Sequence, residues 1–158
     1  MTGIAAMLEN RGIGYKGQIP WRNSDDFKWF KEFTLGKTIL VGSKTYQTLP
    51  ILPNRKILVL SNQLKDCWYN VLNDTSMATV CRDEVYQLNK TREIIVAGGA
   101  QIYSLFLPEI TEFYVTHIEG SYEVDTFMPP FEHLFGKNEV VREFSGGKVV
   151  KYYNNNYV

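Results

Sequence analysis

The sequence has no excess of charge of either sign. Its 158 residues include 17 Lys and Arg against 17 Asp and Glu, so the formal net charge at pH 7 is zero. Nucleic acids and anionic membrane surfaces attract proteins that carry an excess of cations. The charge balance therefore argues against nucleic acid or a membrane as the main partner, and it favours a small-molecule ligand.

Long apolar runs and cysteines are also scarce. No apolar run approaches the ~20 residues that span a membrane, and no basic segment followed by an apolar core marks a secretory leader. Cys67 and Cys81 are the only cysteines, and their spacing matches no metal or redox motif. His117 and His133 are too isolated to suggest a metal site. We therefore expect a cytoplasmic protein with reduced thiols and no metal, and a monomer, since nothing in the sequence forces a dimer.

What the sequence does contain is the composition of a folded domain. It is 44% hydrophobic and 14% aromatic, which is enough to bury a core in a chain of this length. Short apolar, β-rich runs alternate with helix-like segments, and this pattern predicts an α/β fold. We predict one domain over residues 1–158, with a mainly parallel central β-sheet flanked by helices and an antiparallel C-terminal hairpin.

The predicted elements follow the periodicity of the apolar residues. Strands are expected at residues 3–8, 38–41, 57–60, 94–97 and 113–118. Helices are expected at residues 24–34, 45–48, 82–89 and 100–107, with Asn23 or Ser24 as the N-cap of the first. The hairpin strands are expected at residues 140–144 and 148–153, joined through Gly146 and Gly147.

Asp26 occupies an unexpected position in the first predicted helix. At about 100° per residue, Phe27, Trp29, Phe30 and Phe33 form an aromatic arc, and Asp26 lies near its centre. A carboxylate in an apolar stripe costs several kcal/mol unless something pairs with it. Asp26 is therefore either an acid that stabilises the start of the helix or a functional acid that faces a pocket. The helical pattern alone leaves both interpretations open.

Two glycine-rich segments follow predicted strands. They are residues 41–45, Val-Gly-Ser-Lys-Thr, and residues 96–101, Val-Ala-Gly-Gly-Ala-Gln. Each places backbone N–H groups at the start of a helix, which suits phosphate. Neither is a complete dinucleotide fingerprint, and either alone is more often a packing turn. Two such junctions in one small domain predict cradles for the two ends of a dinucleotide.

The loop after the first strand has the composition of a lid. Residues 10–21 contain three glycines and a proline, yet they also carry Ile13, Ile19 and Trp21. Apolar residues on a glycine-hinged loop suit a segment that closes over a ligand and excludes water. Arg55, in a turn before a strand, has a guanidinium fork that would suit a carboxylate at the mouth of the site.

Taken together, these residues resemble the dihydrofolate reductase family over essentially the full length of the chain. Any one motif is weak, but their order and spacing are specific. The motifs that carry the resemblance are Ile4-Ala5-Ala6, Gly12-Ile13-Gly14, Ile19-Pro20-Trp21, Asp26 with Trp29-Phe30-Lys31, Gly42-Ser43-Lys44-Thr45, Leu52-Pro53-Asn54-Arg55-Lys56, Gly98-Gly99 with Ile102-Tyr103, Phe106-Leu107-Pro108, Tyr114-Val115-Thr116-His117 and Asp125-Thr126.

The resemblance implies an enzyme that transfers a hydride from NADPH to C6 of the dihydrofolate ring, with protonation at N5. It implies that Asp26 binds the pterin amino group and ring nitrogen, with Thr116 as its partner through substrate or water. Trp21 would position water near the pterin, Arg55 would hold the glutamate α-carboxylate, and Asp125 would tether the closed lid. Burial among aromatics should raise the pKa of Asp26, which suits proton delivery near neutral pH.

The same resemblance assigns the remaining site residues. It also implies a cis peptide between Gly98 and Gly99. The implied substrate-binding residues are Ile4, Ala5, Asp26, Phe30, Leu49, Leu52, Arg55, Ala97, Tyr103 and Thr116. The implied NADPH-binding residues are Ala6, Ile13, Gly14, Ile19, Gly42, Ser43, Lys44, Thr45, Ser61, Asn62, Gly98, Gly99, Ala100, Gln101, Ile102, Tyr103 and Thr126.

The chain departs from many relatives at two of these positions. Ser43 and Gln101 stand where relatives often carry cations that hold the 2′-phosphate of NADPH. Lys44, Ser61 and Asn62 remain as donors, with Lys65 nearby in sequence. We therefore expect a preference for NADPH over NADH that is weaker than in relatives with both cations.

Two other functions fit parts of the pattern. A non-catalytic nucleotide- or folate-binding module would keep the glycine junctions but would have no need for an acid at Asp26. A related pterin or pyrimidine reductase would have no use for Arg55, unless its substrate also carried an acidic tail.

Overall fold

The computed structural model describes residues 1–50, 52–61, 70–71 and 77–157. The helices are α1 (Ser24–Thr34), α2 (Ser43–Thr48), α3 (Arg82–Asn89) and α4 (Ala100–Phe106). The strands are β1 (Thr2–Leu8), β2 (Gly12–Gly14), β3 (Thr38–Gly42), β4 (Lys56–Leu60), β5 (Asn70–Val71), β6 (Met77–Val80), β7 (Ile94–Val96), β8 (Glu112–Ile118), β9 (Thr126–Phe127), β10 (Lys137–Phe144) and β11 (Gly147–Tyr153).

Nine of these strands form one sheet in the order β10-β11-β8-β1-β7-β3-β4-β6-β5. The inner pairs from β8 to β6 are all parallel. The β10–β11 hairpin adds to β8 in antiparallel register, and β5 pairs antiparallel with β6 at the other edge. This topology confirms the predicted α/β class, the mainly parallel sheet and the antiparallel C-terminal hairpin.

The core lies on both faces of the sheet, because successive side chains of a strand point to opposite faces. On one face, Leu40 of β3 and Val96 of β7 belong to a buried cluster with Phe106 and Phe113. On the other face, Ile39 and Val41 of β3 pack with residues of β4, α1 and α2. Strands buried on both faces explain why the sequence shows continuous apolar runs there and no alternation.

The predicted boundaries hold within one residue for most elements, but α2 begins two residues earlier and β10 three residues earlier than predicted. The bounds of α1 and α3 match the prediction, and Asn23 is the N-cap of α1. The prediction for 100–107 is one residue too long, because α4 ends at Phe106 and a 3-10 turn, Leu107–Glu109, follows with Pro108 inside it. A proline has no N–H to continue an α-helical ladder. Strands β2, β5, β6 and β9 were not predicted.

Two further observations concern expectations from composition. No helix in the described part of the chain is long and apolar enough to cross a membrane. Cys81 does not carry a free thiol, so the expectation of reduced cysteines is wrong at this position. Cys67 lies outside the described residues.

Candidate active site

Asp26 is a buried carboxylate on the first turn of α1. The Asn23 side chain caps the helix by accepting from the backbone N–H groups of Asp25 (3.0 Å) and Asp26 (3.1 Å). Asp25 is exposed to solvent, whereas Asp26 is only 6% exposed. Phe27, which the helical pattern placed in the aromatic arc, is 39% exposed instead. Asn23 and Asp25 therefore stabilise the start of the helix, and the Asp26 side chain lies in the protein interior.

Trp21 is the hydrogen-bond partner that the sequence did not reveal. Its indole N–H donates to Asp26 Oδ2 over 3.2 Å, and its side chain is 2% exposed. Burial raises the pKa of Asp26, while the hydrogen bond from Trp21 and, to a smaller extent, the nearby hydroxyl of Thr116 oppose that shift. Desolvation is the larger effect, so Asp26 holds a proton at a higher pH than an ordinary aspartate does.

Thr116 brings a second polar group to the same place. It lies on β8 opposite Ala6 of β1 and is fully buried. Its Oγ1 makes no hydrogen bond of normal distance and angle in the part of the chain that the structure describes, although it lies close enough to Asp26 to oppose the rise of that carboxyl's pKa. Buried hydroxyls are rarely left unsatisfied. The orphaned hydroxyl therefore fits a ligand with polar groups placed between Thr116 and Asp26.

Tyr103 closes the other side of this region. Its hydroxyl donates to the backbone oxygen of Ile4 over 2.7 Å, and its side chain is 4% exposed. Burial raises the pKa of the Tyr103 phenol, and the charge of Asp26 adds to the rise. Tyr103 is therefore a neutral hydrogen-bond donor across the physiological pH range.

Strand β1 joins three groups of predicted site residues. Ile4 packs with Phe30 and Ala97, and these two also pack against the cluster of Leu52, together with Leu49. Ala5 belongs to the cluster that contains Ile102 and Tyr103, with Ile13 against it. Ala6 packs against the cluster of Leu8, Trp21 and Ile118. The three residues of β1 thus belong to, or pack against, clusters that hold many of the other apolar residues assigned to substrate and to the nicotinamide end of the cofactor, and Ala6 lies opposite Thr116.

The two glycine junctions lie side by side, because β3 and β7 are parallel neighbours. The N–H of Gly42 donates to the carbonyl of Gly98 over 2.9 Å, and the Gly98–Gly99 peptide is cis, as the resemblance implied. Gly98 has φ +116°, and a Cβ there would lie 3.3 Å from the Tyr103 hydroxyl. A Cβ at Gly99 would lie 3.4 Å from Thr45 Oγ1. A side chain at Gly98 would therefore be strained by the positive φ and would lie close to Tyr103.

The helices that follow these glycines, α2 and α4, carry no side-chain cap on their first turns. Backbone N–H groups at such ends suit the phosphates of a dinucleotide. Ser43, Lys44 and Gln101 are exposed there, and Ala100 opens α4. Ser61 follows β4, its backbone N–H donating to Val80 over 3.0 Å, and Asn62 and Lys65 lie outside the described residues. The two junctions thus place uncapped backbone N–H groups side by side, as binding of a diphosphate requires.

The lid is held against the segment that precedes β10. Strands β2 and β9 pair, which sets Gly14 opposite Thr126. The backbone N–H of Lys16 donates to Asp125 Oδ2 over 2.9 Å, and the Thr126 hydroxyl donates to Asp125 Oδ1 over 2.9 Å. These two bonds hold the pKa of Asp125 below its usual range. Ile19, at the tip of the lid, is 50% exposed.

Arg55 is buried in the turn before β4, with 6% of its surface exposed. Its Nε donates to Thr34 Oγ1 over 3.1 Å and its Nη1 to the carbonyl of Pro53 over 2.6 Å. Nη2 donates to the carbonyl of Lys31 in the last turn of α1. These three hydrogen bonds hold the Arg55 guanidinium in one position. A solvated arginine in a turn would lack such contacts.

Comparison with known proteins agrees with this geometry. Residues 1–148 match the family model described as dihydrofolate reductase. The chain is 36% identical over 132 residues to the dihydrofolate reductase of Buchnera aphidicola subsp. Baizongia pistaciae, covering 83% of this chain and 78% of that protein. The chain belongs to the dihydrofolate reductase family.

Other dihydrofolate reductases show the same likeness. A relative from Neisseria meningitidis serogroup A is 34% identical over 139 residues, covering 87% of this chain and 83% of the relative. The solved dihydrofolate reductase from Enterococcus faecalis, complexed with NADP(H) and RAB-propyl, superposes with a TM-score of 0.80 over 98% of this chain and 95% of that chain, at 23% identity. That structure supports the fold. The family match confirms the predicted enzyme class and reaction, NADPH-dependent reduction of dihydrofolate.

Sequence reasoning missed two features of the site. The first is the direct hydrogen bond from Trp21 to Asp26. The sequence had suggested only that Trp21 positions a water near the pterin. The second is Thr34, a fully buried threonine at the end of α1 that accepts from Arg55. A threonine in the last turn of an amphipathic helix gives no signal in the sequence, because its partner is 21 residues away.

Proposed function

We propose that Asp26, Trp21 and Thr116 are the catalytic residues of dihydrofolate reduction in this chain. The observation that carries the proposal is the burial of Asp26 beside a tryptophan N–H and an orphaned threonine hydroxyl. Asp26 and Thr116 bind the pterin amino group and ring nitrogen. The raised pKa of Asp26 lets it hold a proton at a higher pH than an ordinary aspartate does, which supports protonation at N5.

The rest of the pocket positions the reactants and excludes water. Bound NADPH supplies the hydride that reaches C6 of the pterin. The wall of the pterin and aminobenzoyl pocket is formed by Ile4, Ala5, Phe30, Leu49, Leu52 and Ala97. Tyr103 contacts both ligands. Its position is set by the hydrogen bond from its hydroxyl to the backbone oxygen of Ile4. A dry, ordered site raises the rate by orientation and by removing competing solvent.

The glutamate tail and the cofactor complete the assignment. Arg55 binds the α-carboxylate. The proposed NADPH contacts comprise the nicotinamide-side residues Ala6, Ile13, Gly14, Ile19, Tyr103 and Thr126, and the phosphate and ribose residues Gly42, Ser43, Lys44, Thr45, Ser61, Asn62, Gly98, Gly99, Ala100, Gln101 and Ile102. Their support is the pair of adjacent glycine junctions, which lie on neighbouring strands and are joined by the bond from the Gly42 N–H to the Gly98 carbonyl.

We further propose that residues 1–158 act as one domain, as a cytoplasmic monomer without nucleic-acid or membrane partners. The features of the edge strand β10 support the proposal that the protein is a monomer. It carries charged side chains along its exposed length, and its register shifts between Val140 and Arg142. Charges and bulges discourage edge-to-edge pairing.

A spectrophotometric assay tests the proposed function. When dihydrofolate is added to the purified protein with NADPH, the absorbance of NADPH should fall. The Asp26→Asn variant should oxidise NADPH far more slowly. Absence of turnover in the parent protein would favour a binding module. Reduction of a tailless pterin with equal kcat/KM would favour a different pterin reductase, because Arg55 would then contribute nothing.

A further inference from the structure

Thr34 and Arg55 form a buried pair at the carboxyl end of α1. Arg55 has five N–H donors. Three of them are used within the described part of the chain, one each on Nε, Nη1 and Nη2. One N–H therefore remains on each terminal nitrogen, and two N–H groups side by side match the two oxygens of a carboxylate.

The three acceptors differ in kind. The partners of Nη1 and Nη2 are the backbone carbonyls of Pro53 and Lys31. The partner of Nε is the side-chain hydroxyl of Thr34, at 3.1 Å. That hydroxyl is itself fixed, because it donates its one hydrogen to the carbonyl of Phe30 over 2.7 Å. Its lone pairs are therefore left to accept from Arg55.

We propose that Thr34 is a positioning residue for recognition of the acidic tail of the substrate, an inference that rests on the proposed role of Arg55. Through its bond to Nε, Thr34 sets the rotation of the guanidinium plane. The two remaining N–H groups are then presented as an ordered fork, with little freedom to lose when a carboxylate binds. Thr34 is fully buried and does not itself reach the substrate.

A purely structural role for Thr34 predicts something different. The hydroxyl could simply satisfy the carbonyl of Phe30 at the end of α1. Loss of the hydroxyl would then lower stability and affect every substrate alike. Only a positioning role makes the effect depend on whether the substrate carries a carboxylate tail.

The test compares two substrates in Thr34→Val, a variant of nearly equal shape that lacks the hydroxyl. We expect KM for 7,8-dihydrofolate to rise about fivefold, as for loss of one hydrogen bond. KM for 7,8-dihydro-6-methylpterin, which carries no carboxylate, should stay within about twofold, and kcat should change little for either. Thr34→Ser keeps the hydroxyl and should restore the parent ratio of the two KM values.

A matched control removes a threonine hydroxyl elsewhere. Thr2 Oγ1 donates to Glu93 over 2.8 Å, far along the chain from Arg55, and Thr2→Val should leave the ratio of KM values unchanged. An equal rise for both substrates in Thr34→Val, or no rise for either, would overturn the inference. If Thr34→Val does not fold, Thr34→Ala provides the same comparison, judged by the same two outcomes.

Arg55→Gln separates this inference from the proposed function. If Arg55→Gln raises KM for dihydrofolate alone while Thr34→Val does not, Arg55 binds the tail and the inference about Thr34 is wrong. If Arg55→Gln changes the two KM values equally, the tail-binding role of Arg55 fails, and the inference fails with it.

Discussion

Asp26 is a buried carboxylate, and its ionisation lowers the stability of the fold. Burial raises its pKa above the value in the unfolded chain, so between the two values the folded protein binds more protons than the unfolded protein. The free energy of unfolding therefore falls as pH rises through this window. Asp26→Asn cannot ionise, and it should raise Tm of the ligand-free protein at about pH 8.

The gain in Tm from Asp26→Asn should disappear at about pH 3, which is below the ordinary pKa of aspartate. At that pH Asp26 is protonated in both the folded and the unfolded parent protein. Thermal denaturation followed by circular dichroism across pH measures it. Asp25→Asn is the matched control, since Asp25 is exposed beside the same cap and should give no gain. A variant at Asp26 that is less stable than the parent at about pH 8 would contradict this assignment of the buried charge.

At the scale of elements, the lid depends on Asp125. The carboxylate accepts from the backbone N–H of Lys16 and from the Thr126 hydroxyl. Asp125→Ala removes both acceptors, so amide hydrogen exchange at Lys16 and its neighbours in the lid should become faster, and kcat should fall. Because the pKa of Asp125 is lowered in the fold, the tether is present above the ordinary pKa of aspartate and is lost as pH falls through the lowered value.

Glu119→Ala is the control for the lid. Glu119 is exposed just after β8, and its backbone N–H bonds to Gly146, so removing its side chain should not alter exchange in the lid. Unchanged exchange at Lys16 in Asp125→Ala would show that the β2–β9 pairing alone holds the lid.

The elements that the sequence predicted share a physical cause. Helix α1 has an aromatic period and an asparagine cap, and β1, β3, β4 and β7 are apolar runs that are buried in the sheet. Strands β2 and β9 are three and two residues long, too short for a period, and they exist because the lid meets a distant segment. The exposure of Phe27 and the Trp21–Asp26 bond likewise depend on tertiary contacts, which a helical wheel does not contain.

At the scale of the whole molecule, a net charge of zero gives no long-range attraction for an anionic cofactor. Discrimination of NADPH from NADH therefore depends on local donors. Gln101 is exposed on the first turn of α4, and Gln101→Arg should raise the ratio of kcat/KM for NADPH over NADH roughly fivefold, with a charge-assisted hydrogen bond to the 2′-phosphate.

Gln87→Arg adds the same charge at an exposed position on α3 and should leave the ratio of NADPH to NADH unchanged. Equal effects of the two arginines would mean that net charge, and no specific contact, sets the preference. A parent ratio as large as in relatives that carry both cations would contradict the expectation that Ser43 and Gln101 weaken it.

If the buried Asp26 controls protonation of the substrate, as we propose, its ionisation governs kcat, and a pH profile of kcat measures this. For the parent enzyme with saturating NADPH and dihydrofolate, kcat should fall as pH rises through the raised pKa of Asp26. Asp26→Asn should be slower by about 10²-fold or more, as for loss of a group active in proton transfer, and should lack that ionisation. If Asp26→Asn had the rate and the pH profile of the parent enzyme, Asp26 would not control protonation of the substrate.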